Sequence, residues 1–254
     1  MVGCRPGNAR RLTRRLRLAQ IENETLTSIS IIIPVINEAS IVANAIERAW
    51  ATGCDEVIVV DGGSTDGTKG VCHACRCQVI TSEPGRGTQM NAGARAATSD
   101  LLLFLHADNW LVKDGCQQLR ALGAHDEDVF GGFQQRIEDE RRIYRLIERG
   151  NAWRVRWRGL VYGDQAFFIR RSLFESAGGF PNIPLMEDLS FSTKLKSVGR
   201  PRLLSGPTFV GARRWQENGV VMQTLRNWFL GAAFLAGASP DWLAKKYRRH
   251  DAKE

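Results

Sequence analysis

Residues 101–109 form the stretch Leu-Leu-Leu-Phe-Leu-His-Ala-Asp-Asn, in which an apolar run ends abruptly on His106 and Asp108. A continuous apolar run is typical of a strand that is buried on both faces. Open α/β sheets bind ligands beyond the carboxyl ends of their strands, which is where His106 and Asp108 would lie. Because side chains alternate along a strand, we expect these two to share one side and to hold a metal ion or a diphosphate. A polar strand end that faces solvent would give the same pattern.

Strands and helices alternate around this stretch. Apolar and β-branched runs predict strands over residues 28–36, 55–61, 78–81 and 100–106. Helices are predicted between them, over residues 39–50, from the glycine-rich turn to about residue 75, and over residues 85–98. This alternation predicts a parallel, doubly wound sheet.

The second half of the chain is less regular. Its pattern predicts strands over residues 129–137, 165–169 and 202–204, helices over residues 139–157, 187–198 and 220–235, and a short helix capped by Ser172. The nearest candidate for a membrane span, residues 228–238, is shorter than the ~18–20 residues that a spanning helix needs. We therefore expect a core or interfacial helix there.

Charge is distributed unevenly along the 254 residues, whose net charge is +8. Residues 1–27 carry six arginines, two glutamates and few large apolar side chains. We predict that residues 1–27 are a basic, disordered tail, in which residues 14–21 could form a helix on an anionic surface. Residues 28–254 are then expected to form a single domain. The other basic residues are scattered without interleaved aromatic residues, so we expect no specific nucleic acid partner.

Polar residues follow three of the predicted parallel strands, namely Asn37 and Glu38, then Asp61, then His106 and Asp108. The ends of parallel strands lie along one edge of a sheet, so these residues are expected to converge on one crevice.

Residues 85–87, Gly-Arg-Gly, offer a helix N-terminus and a positive charge to an anion. The first strand is not followed by Gly-x-Gly-x-x-Gly, and the chain has no Gly-x-x-x-x-Gly-Lys-Ser/Thr loop. The sequence therefore excludes a Rossmann dinucleotide fingerprint and a P-loop.

Five stretches, taken in order and spacing, resemble a known family. They are Ile31-Ile-Ile-Pro-Val-Ile-Asn-Glu38, Val57-Ile-Val-Val-Asp-Gly-Gly-Ser-Thr-Asp-Gly67, Gly85-Arg-Gly-Thr-Gln-Met-Asn-Ala-Gly93, Leu102-Leu-Phe-Leu-His-Ala-Asp108 and Met186-Glu-Asp188. With them, residues 28–205 resemble the inverting glycosyltransferases of family 2, which have the GT-A fold. Residues 163–165 (Gly-Asp-Gln) and 178–181 (Gly-Gly-Phe-Pro) resemble a soluble bacterial subgroup of that family.

The resemblance implies a nucleotide-binding, Rossmann-like α/β fold with a mostly parallel sheet flanked by helices, and it implies residue roles. The donor nucleotide would be held by Pro34, Glu38, Asp61 and Arg86. Asp108 and His106 would bind Mn²⁺ or Mg²⁺, although His106 stands where the family usually has an aspartate, and imidazole binds these ions less readily. Asp188 would be the general base. A helix N-terminus that favours acidic residues is the structural alternative for Asp188.

The implied reaction moves a sugar, of hexosyl type, from UDP or GDP to an acceptor hydroxyl with inversion. Residues expected near the donor sugar or the acceptor are Asp164, Gln165, Glu187, Arg214 and Trp215. The acceptor is a glycan, a lipid or a small molecule. The Gln-x-x-Arg-Trp motif of processive synthases is absent, and residues 213–215 echo it only in part. We therefore expect a non-processive enzyme.

The sequence leaves alternatives for location and for function. We expect a cytoplasmic protein with a peripheral membrane contact as an option, because the arginines of residues 141–158 suit an acceptor, a membrane or a solvated helix face equally. A nucleotidyltransferase that makes nucleotide sugars would carry a glycine-rich loop with arginine where residues 35–38 are Val-Ile-Asn-Glu. A non-catalytic nucleotide-sugar-binding protein is the third option, because of His106.

Overall fold

The computed structural model describes residues 27–123 and 128–251, so the predictions for residues 1–26 lie outside it. The strands are β1 (Ile29–Val35), β2 (Glu56–Asp61), β3 (Gln78–Thr81), β4 (Leu101–Phe104), β5 (Asn109–Leu111), β6 (Phe130–Ile137), β7 (Phe168–Arg170) and β8 (Arg202–Val210). They form one eight-stranded sheet in the order β3-β2-β1-β4-β7-β6-β8-β5.

Ten α-helices are described. They are α1 (Val42–Ala51), α2 (Thr68–His73), α3 (Arg86–Ala96), α4 (Gly115–Gly123), α5 (Arg142–Trp153), α6 (Arg171–Ser176), α7 (Glu187–Leu195), α8 (Arg213–Asn218), α9 (Val220–Leu235) and α10 (Pro240–Asp251). A π-helical turn (Arg154–Arg158) continues α5, and a 3-10 turn (Gly163–Gln165) precedes β7. Within the described ranges, none of these helices has the length and apolar character needed to cross a membrane.

The first half of the sheet is parallel, as predicted. β1 pairs in parallel with β2 and β4, and β2 pairs in parallel with β3. Both faces of β1 are covered, because Ile31 and Ile33 pack in one apolar cluster and Ile32 packs in another. The pairing of Val35 with Asp61 ends β1 and β2 at the same level, which places the loops that follow them side by side.

The second half makes the sheet mixed. β7 is antiparallel to β4 and β6, β8 is parallel to β6, and β5 is antiparallel to β8. Four of the seven strand pairings are therefore parallel. The prediction of an α/β fold with helices flanking a central sheet is confirmed.

Several element boundaries differ from the prediction. β5 and α4 were not predicted, since their apolar patterns are short. Ser172 lies inside α6, whose first residue is Arg171, so it does not cap that helix. β8 extends to Val210, beyond the predicted end at residue 204, because it tolerates Gly206 and Pro207 near a register irregularity in its pairing with β6. Thr27, the last residue of the predicted tail, is buried.

Candidate active site

Hydrogen bonds join the loop after β1 to the loop after β2. The N–H of Asn37 donates to Ser64 Oγ at 2.9 Å, and Asn37 Oδ1 accepts the N–H of Thr65 at 2.8 Å. The N–H of Glu38 donates to Thr68 Oγ1 at 2.8 Å. The two loops therefore form one unit at the carboxyl edge of the parallel strands.

Three of the predicted nucleotide ligands lie at this edge in different environments. Asp61 is buried, and its carboxylate accepts the N–H groups of Gly63 and Ser64 at 3.2–3.3 Å, which orders the turn. Glu38 is half-buried, and burial together with the charge of Asp108 raises the pKa of its carboxyl group. Pro34 is buried within β1.

Gln89, on α3, is a residue of this edge that the sequence analysis did not identify. Its amide nitrogen donates to the carbonyl oxygens of Val35 at 2.8 Å and of Val60 at 2.9 Å. A Cβ atom at Gly62 would lie 2.9 Å from the amide carbon of Gln89, so the turn after β2 needs a glycine there. Gln89 thus ties α3 to the ends of β1 and β2.

His106 and Asp108 stand on a turn, not on a strand. β4 ends at Phe104, and the N–H of Asn109 donates to the carbonyl of His106 at 3.0 Å. The expectation that strand alternation aligns the two side chains was therefore wrong. His106 is half-buried and Asp108 is exposed. Burial and the positive charge of Arg86 lower the pKa of His106 to about 4, so the imidazole is neutral near pH 7.

The starts of α3 and α7 meet beside this turn. A Cβ atom at Gly87 would lie 2.6 Å from the carbonyl oxygen of Pro181 and 3.5 Å from Glu187 Cβ. Glu187 is buried, and burial and the charge of Asp188 raise its pKa to about 7, while Arg86 acts in the opposite direction. The structure therefore brings Arg86, Glu187 and Asp188 together.

Gly163 contacts both the turn after β4 and the start of α7. Its N–H donates to Asp188 Oδ2 at 2.5 Å, and a Cβ atom on it would lie 2.7 Å from His106 Nε2 and 3.3 Å from Asp188 Oδ2. The other oxygen of Asp188 accepts the N–H of Leu189 at 2.6 Å. His106 and Asp188, which come from distant parts of the sequence, thus both lie against this glycine.

Asp164 and Gln165 follow Gly163 and differ in accessibility. Asp164 Oδ1 is buried, and within the described residues it has no hydrogen-bond partner; burial raises the pKa of this carboxyl group. Gln165 is fully buried in the 3-10 turn, not in the strand predicted for residues 165–169. It therefore supports the site without facing it.

Tyr162 and Arg154 complete this support and were not identified from the sequence. The Arg154 guanidinium lies 3.5 Å from the ring centroid of Tyr162 and donates to Gln165 Oε1 at 2.7 Å. The same oxygen of Gln165 accepts the N–H of Tyr162 at 3.2 Å. Arg154 and Tyr162 thus hold the motif Gly-Asp-Gln in position.

Arg214 and Trp215 separate in the structure. Arg214 is half-buried, donates to the hydroxyl of Tyr247, and adds to the positive charge that lowers the pKa of His106. Trp215 is buried, and its indole nitrogen donates to Thr224 Oγ1 at 3.2 Å. This side chain packs in an apolar cluster, and its contact with a ligand stays a prediction.

The donor set fits a cation that is shared with a phosphate group. Within residues 27–123 and 128–251, no three His, Cys, Asp or Glu side chains form a ready-made metal cluster. Asp108 supplies a carboxylate and His106 an imidazole. Mg²⁺-like ions are commonly held by one or two carboxylates and by substrate phosphates, so two protein ligands suffice.

The sequence profile of glycosyl transferase family 2 matches residues 30–180, more than half of the chain. The chain belongs to this family. Among curated family relatives, the PGL/p-HBAD biosynthesis glycosyltransferase of Mycobacterium bovis is 27% identical over 214 residues, covering 77% of this chain and 79% of the relative. Bacillus subtilis EpsH, a putative glycosyltransferase by its name, is 27% identical over 121 residues, 44% of this chain and only 35% of EpsH.

Undecaprenyl-phosphate 4-deoxy-4-formamido-L-arabinose transferase of Sodalis glossinidius is 28% identical over 162 residues, 57% of this chain and 48% of the relative. The chain thus spans about half or less of two of these three relatives.

Solved structures of glycosyltransferases share the fold. The mannosyltransferase PcManGT of Pyrobaculum calidifontis, in complex with GDP-Man and Mn²⁺, superposes with a TM-score of 0.59 at 20% identity, covering 91% of this chain and 73% of that one. TarS of S. aureus, residues 1–349 with UDP, gives a TM-score of 0.56 at 18% identity, covering 72% and 60%. The family 2 chain therefore has the GT-A fold.

Proposed function

We propose that the chain transfers a hexosyl group from a nucleoside diphosphate donor, UDP or GDP, to an acceptor hydroxyl, with inversion and without processivity. The observation that carries this proposal is the meeting of His106 and Asp188 at Gly163. It joins a crevice built from strand ends to a carboxylate at the start of α7. Family membership and neighbours solved with UDP and GDP-Man support the same reaction.

The loops after β1 and β2, which hydrogen bonds join, would hold the nucleoside. Glu38 is half-buried at this edge and carries oxygens for the ribose or the base. Asp61 would act in two ways. It orders the backbone of the turn after β2, and a carboxylate oxygen would accept a hydrogen bond from the ligand. Arg86, the first residue of α3, would face the diphosphate, because a helix N-terminus and a guanidinium both favour an anion.

Asp108 and His106 would hold a divalent cation, Mn²⁺ or Mg²⁺. Such an ion, when bound, neutralises the negative charge that develops on the departing diphosphate. The structure of PcManGT contains Mn²⁺, which supports this assignment. The exposed carboxylate of Asp108 leaves room for phosphate oxygens beside it.

Asp188 would act as the general base. The N–H groups of Gly163 and Leu189 hold its two carboxylate oxygens, so its orientation is set before a substrate arrives. The acceptor hydroxyl would lose its proton to Asp188 as the oxygen attacks the anomeric carbon from the face opposite the diphosphate. That direction of attack inverts the anomeric configuration, and a positioned base is typically worth ~10²–10⁴ in rate.

Asp164 would bind a hydroxyl of the donor sugar or the acceptor. Its Oδ1 atom is buried without a hydrogen-bond partner among the described residues, and a sugar hydroxyl could donate to it. Glu187 and Arg214 would line the same region. We place the reaction in the cytoplasm. The undecaprenyl phosphate in the name of the Sodalis relative favours a lipid among the possible acceptors.

Calorimetry of the full chain tests the donor half of this proposal. UDP and GDP are titrated with Mn²⁺ or with EDTA, and the matching monophosphates serve as controls. We expect one diphosphate to bind, more tightly with Mn²⁺ than with EDTA, whereas its monophosphate gains less from the ion. If neither diphosphate binds under either condition, the proposal is wrong. NMR of the transferred sugar's anomeric proton then tests inversion.

A further inference from the structure

An exposed apolar face runs along α9. Five large apolar side chains of this helix are more than half exposed: Val221, Met222, Leu225, Trp228 and Phe229. Their spacing of three and four residues places them on one side of the helix. The opposite side carries the buried residues Gln223, Leu230 and Gly231. The helix thus packs by a narrow face and turns its most apolar face outward.

A second exposed apolar strip lies on α5 and the π-helical turn after it. Leu146, Trp153 and Trp157 are exposed, Trp157 by 76%, and the two indole rings lie 6.5 Å apart between centroids. Exposed arginines stand among them, contrary to the expectation that the basic residues have no interleaved aromatic residues: Arg142, Arg149, Arg156 and Arg158. In the described part of the chain, none of these four arginines forms an ion pair with a carboxylate.

Contacts at two points place α9 near α5 and near the segment that follows it. Val220, at the start of α9, packs against the apolar cluster that contains Tyr144 and Ile147 of α5. Farther along, a Cβ atom at Gly231 would lie 2.8 Å from the hydroxyl of Tyr162, the ring on which Arg154 stacks. The segments that carry the two apolar strips therefore lie at one end of the molecule. We call them together the tryptophan-rich face, made of Leu146, Trp153, Trp157, Val221, Met222, Leu225, Trp228 and Phe229.

We propose that the tryptophan-rich face docks the protein onto an anionic lipid bilayer. So many large apolar side chains exposed on two neighbouring segments are uncommon on a protein that stays free in water. Tryptophan and phenylalanine favour the boundary between headgroups and acyl chains, and arginines beside them favour anionic headgroups. Residues 141–158 contain seven arginines and a single acidic residue, Glu148, so the charge of this end complements anionic lipid.

The same charge argues against other occupants of the face. A second copy of the chain would present identical arginines across a twofold interface, where like charges repel. The segment 1–26 carries six arginines and two glutamates, so its charge has the same sign. An anionic bilayer satisfies both the apolar and the basic parts of the face at once.

The buried side of α9, whose outer side carries part of the tryptophan-rich face, adjoins the candidate site. The Cβ position of Gly231 lies 4.0 Å from Leu189, the residue that follows Asp188. Docking would therefore bring Asp188 close to the membrane surface, where a lipid acceptor would present its hydroxyl. This last consequence rests on the proposed function, whereas the docking itself does not.

Vesicle co-sedimentation of the full chain tests the docking. The probes are vesicles of phosphatidylcholine alone or of equal parts phosphatidylcholine and phosphatidylglycerol. We expect the partition coefficient to be at least about tenfold higher for the anionic vesicles, and added salt to lower it. The double variant Leu225→Asp/Phe229→Asp is expected to bind the anionic vesicles at least about tenfold more weakly.

Two matched controls come from α2 and the residue after it, beside β3 at the edge of the sheet that is far from β6 and α5. Ala74→Asp changes an exposed apolar residue and Lys69→Glu an exposed basic residue, and both should bind vesicles like the wild type. Arg149→Glu/Arg156→Glu should lose binding to anionic vesicles, which tests the charge without altering apolar residues. Melting temperature and nucleoside diphosphate affinity should match the wild type in all variants.

Three results would overturn the proposal. The first is equal binding to neutral and anionic vesicles or none to either. The second is an equal loss in Ala74→Asp and in the double variant. The third is a dimer in sedimentation velocity that Leu225→Asp/Phe229→Asp separates, because the face would then bind a second copy. None of these results depends on glycosyl transfer, so the docking and the proposed function can fail separately.

Discussion

The two halves of the site differ in how complete their hydrogen bonding is. At the ends of β1 and β2, both acceptor carbonyls near Gln89 and both oxygens of Asp61 have partners. Around the 3-10 turn, Asp164 Oδ1 is buried and has none within the described residues. The first half therefore has its hydrogen bonds in place before a ligand binds, and we call it the finished half. The second half keeps a buried oxygen without a partner, and we call it the open half. Such a difference is expected where one part binds a common nucleotide and the other selects an individual substrate.

The largest expected effect is that of Asp188→Asn, which should separate the two halves. The amide keeps the size of the side chain and one acceptor for the N–H of Gly163, but it cannot take a proton. Transfer should fall by ~10² or more while the affinity for nucleoside diphosphate stays within a few-fold. Initial rates and calorimetry measure the two quantities. Near-normal transfer by this variant would remove Asp188 from the role of base and leave Glu187 or Asp164 as candidates.

Gly93→Ala should break the finished half through its packing. A Cβ atom there would lie 2.4 Å from Ile32 Cγ2 and 3.0 Å from Val60 Cγ2, where α3 crosses the sheet. Overpacking of this kind lowers the free energy of unfolding by about 1–3 kcal/mol. Urea denaturation measures it. The matched control is Gly150→Ala on α5, where the added atom meets nothing within 4 Å and alanine should leave stability equal or higher. Equal stability of the two variants would contradict the close approach of α3.

Asp108→Asn acts at the boundary between the halves. Loss of the carboxylate should abolish the increase in diphosphate affinity that Mn²⁺ gives, about tenfold or more, because two phosphate charges need a cation nearby. Affinity in EDTA should not decrease. Asp241→Asn, which neutralises an exposed carboxylate on α10, is the control. If Asp108→Asn keeps the full effect of Mn²⁺, the ion is bound elsewhere.

The smallest effect is expected outside both halves. A chain that starts at Thr27 lacks the arginine-rich segment but keeps the buried threonine at the start of the sheet. Its melting temperature and its nucleotide affinity should equal those of the full chain. A much lower melting temperature, or insolubility, would show that residues 1–26 contribute to the folded domain.

The finished half was also the half that could be predicted. Strands buried on both faces are continuous apolar runs, so β1, β2 and β3 were located within two residues of their ends. The meeting of the loops that carry Glu38 and Asp61 followed from the geometry of parallel sheets. The detail that failed was the alternation of His106 and Asp108, because β4 stops at Phe104 and the chain turns there.

The open half was predicted less well, because residue type does not distinguish a buried support from a ligand-binding group. Gln165 and Trp215 are both buried, although a glutamine and a tryptophan next to charged residues are equally typical of a binding site. Arg154 supports the site, but the sequence offers seven arginines over residues 141–158 with no signal that separates this one. The position of Asp188 at the start of a helix was recognisable from the sequence.

The hydrogen bonds between the loops after β1 and β2 have a thermodynamic consequence. Ordering a loop around a ligand loses conformational entropy, worth about 1–2 kcal/mol for each backbone residue that becomes fixed. The N–H groups of Asn37, Glu38 and Ala39 already donate to side chains of the opposite loop, so this entropy is lost during folding. Binding of a base and a ribose would then lose little further entropy, so that most of the free energy of their contacts would appear as affinity. A nucleoside without phosphates would retain a measurable part of the binding free energy.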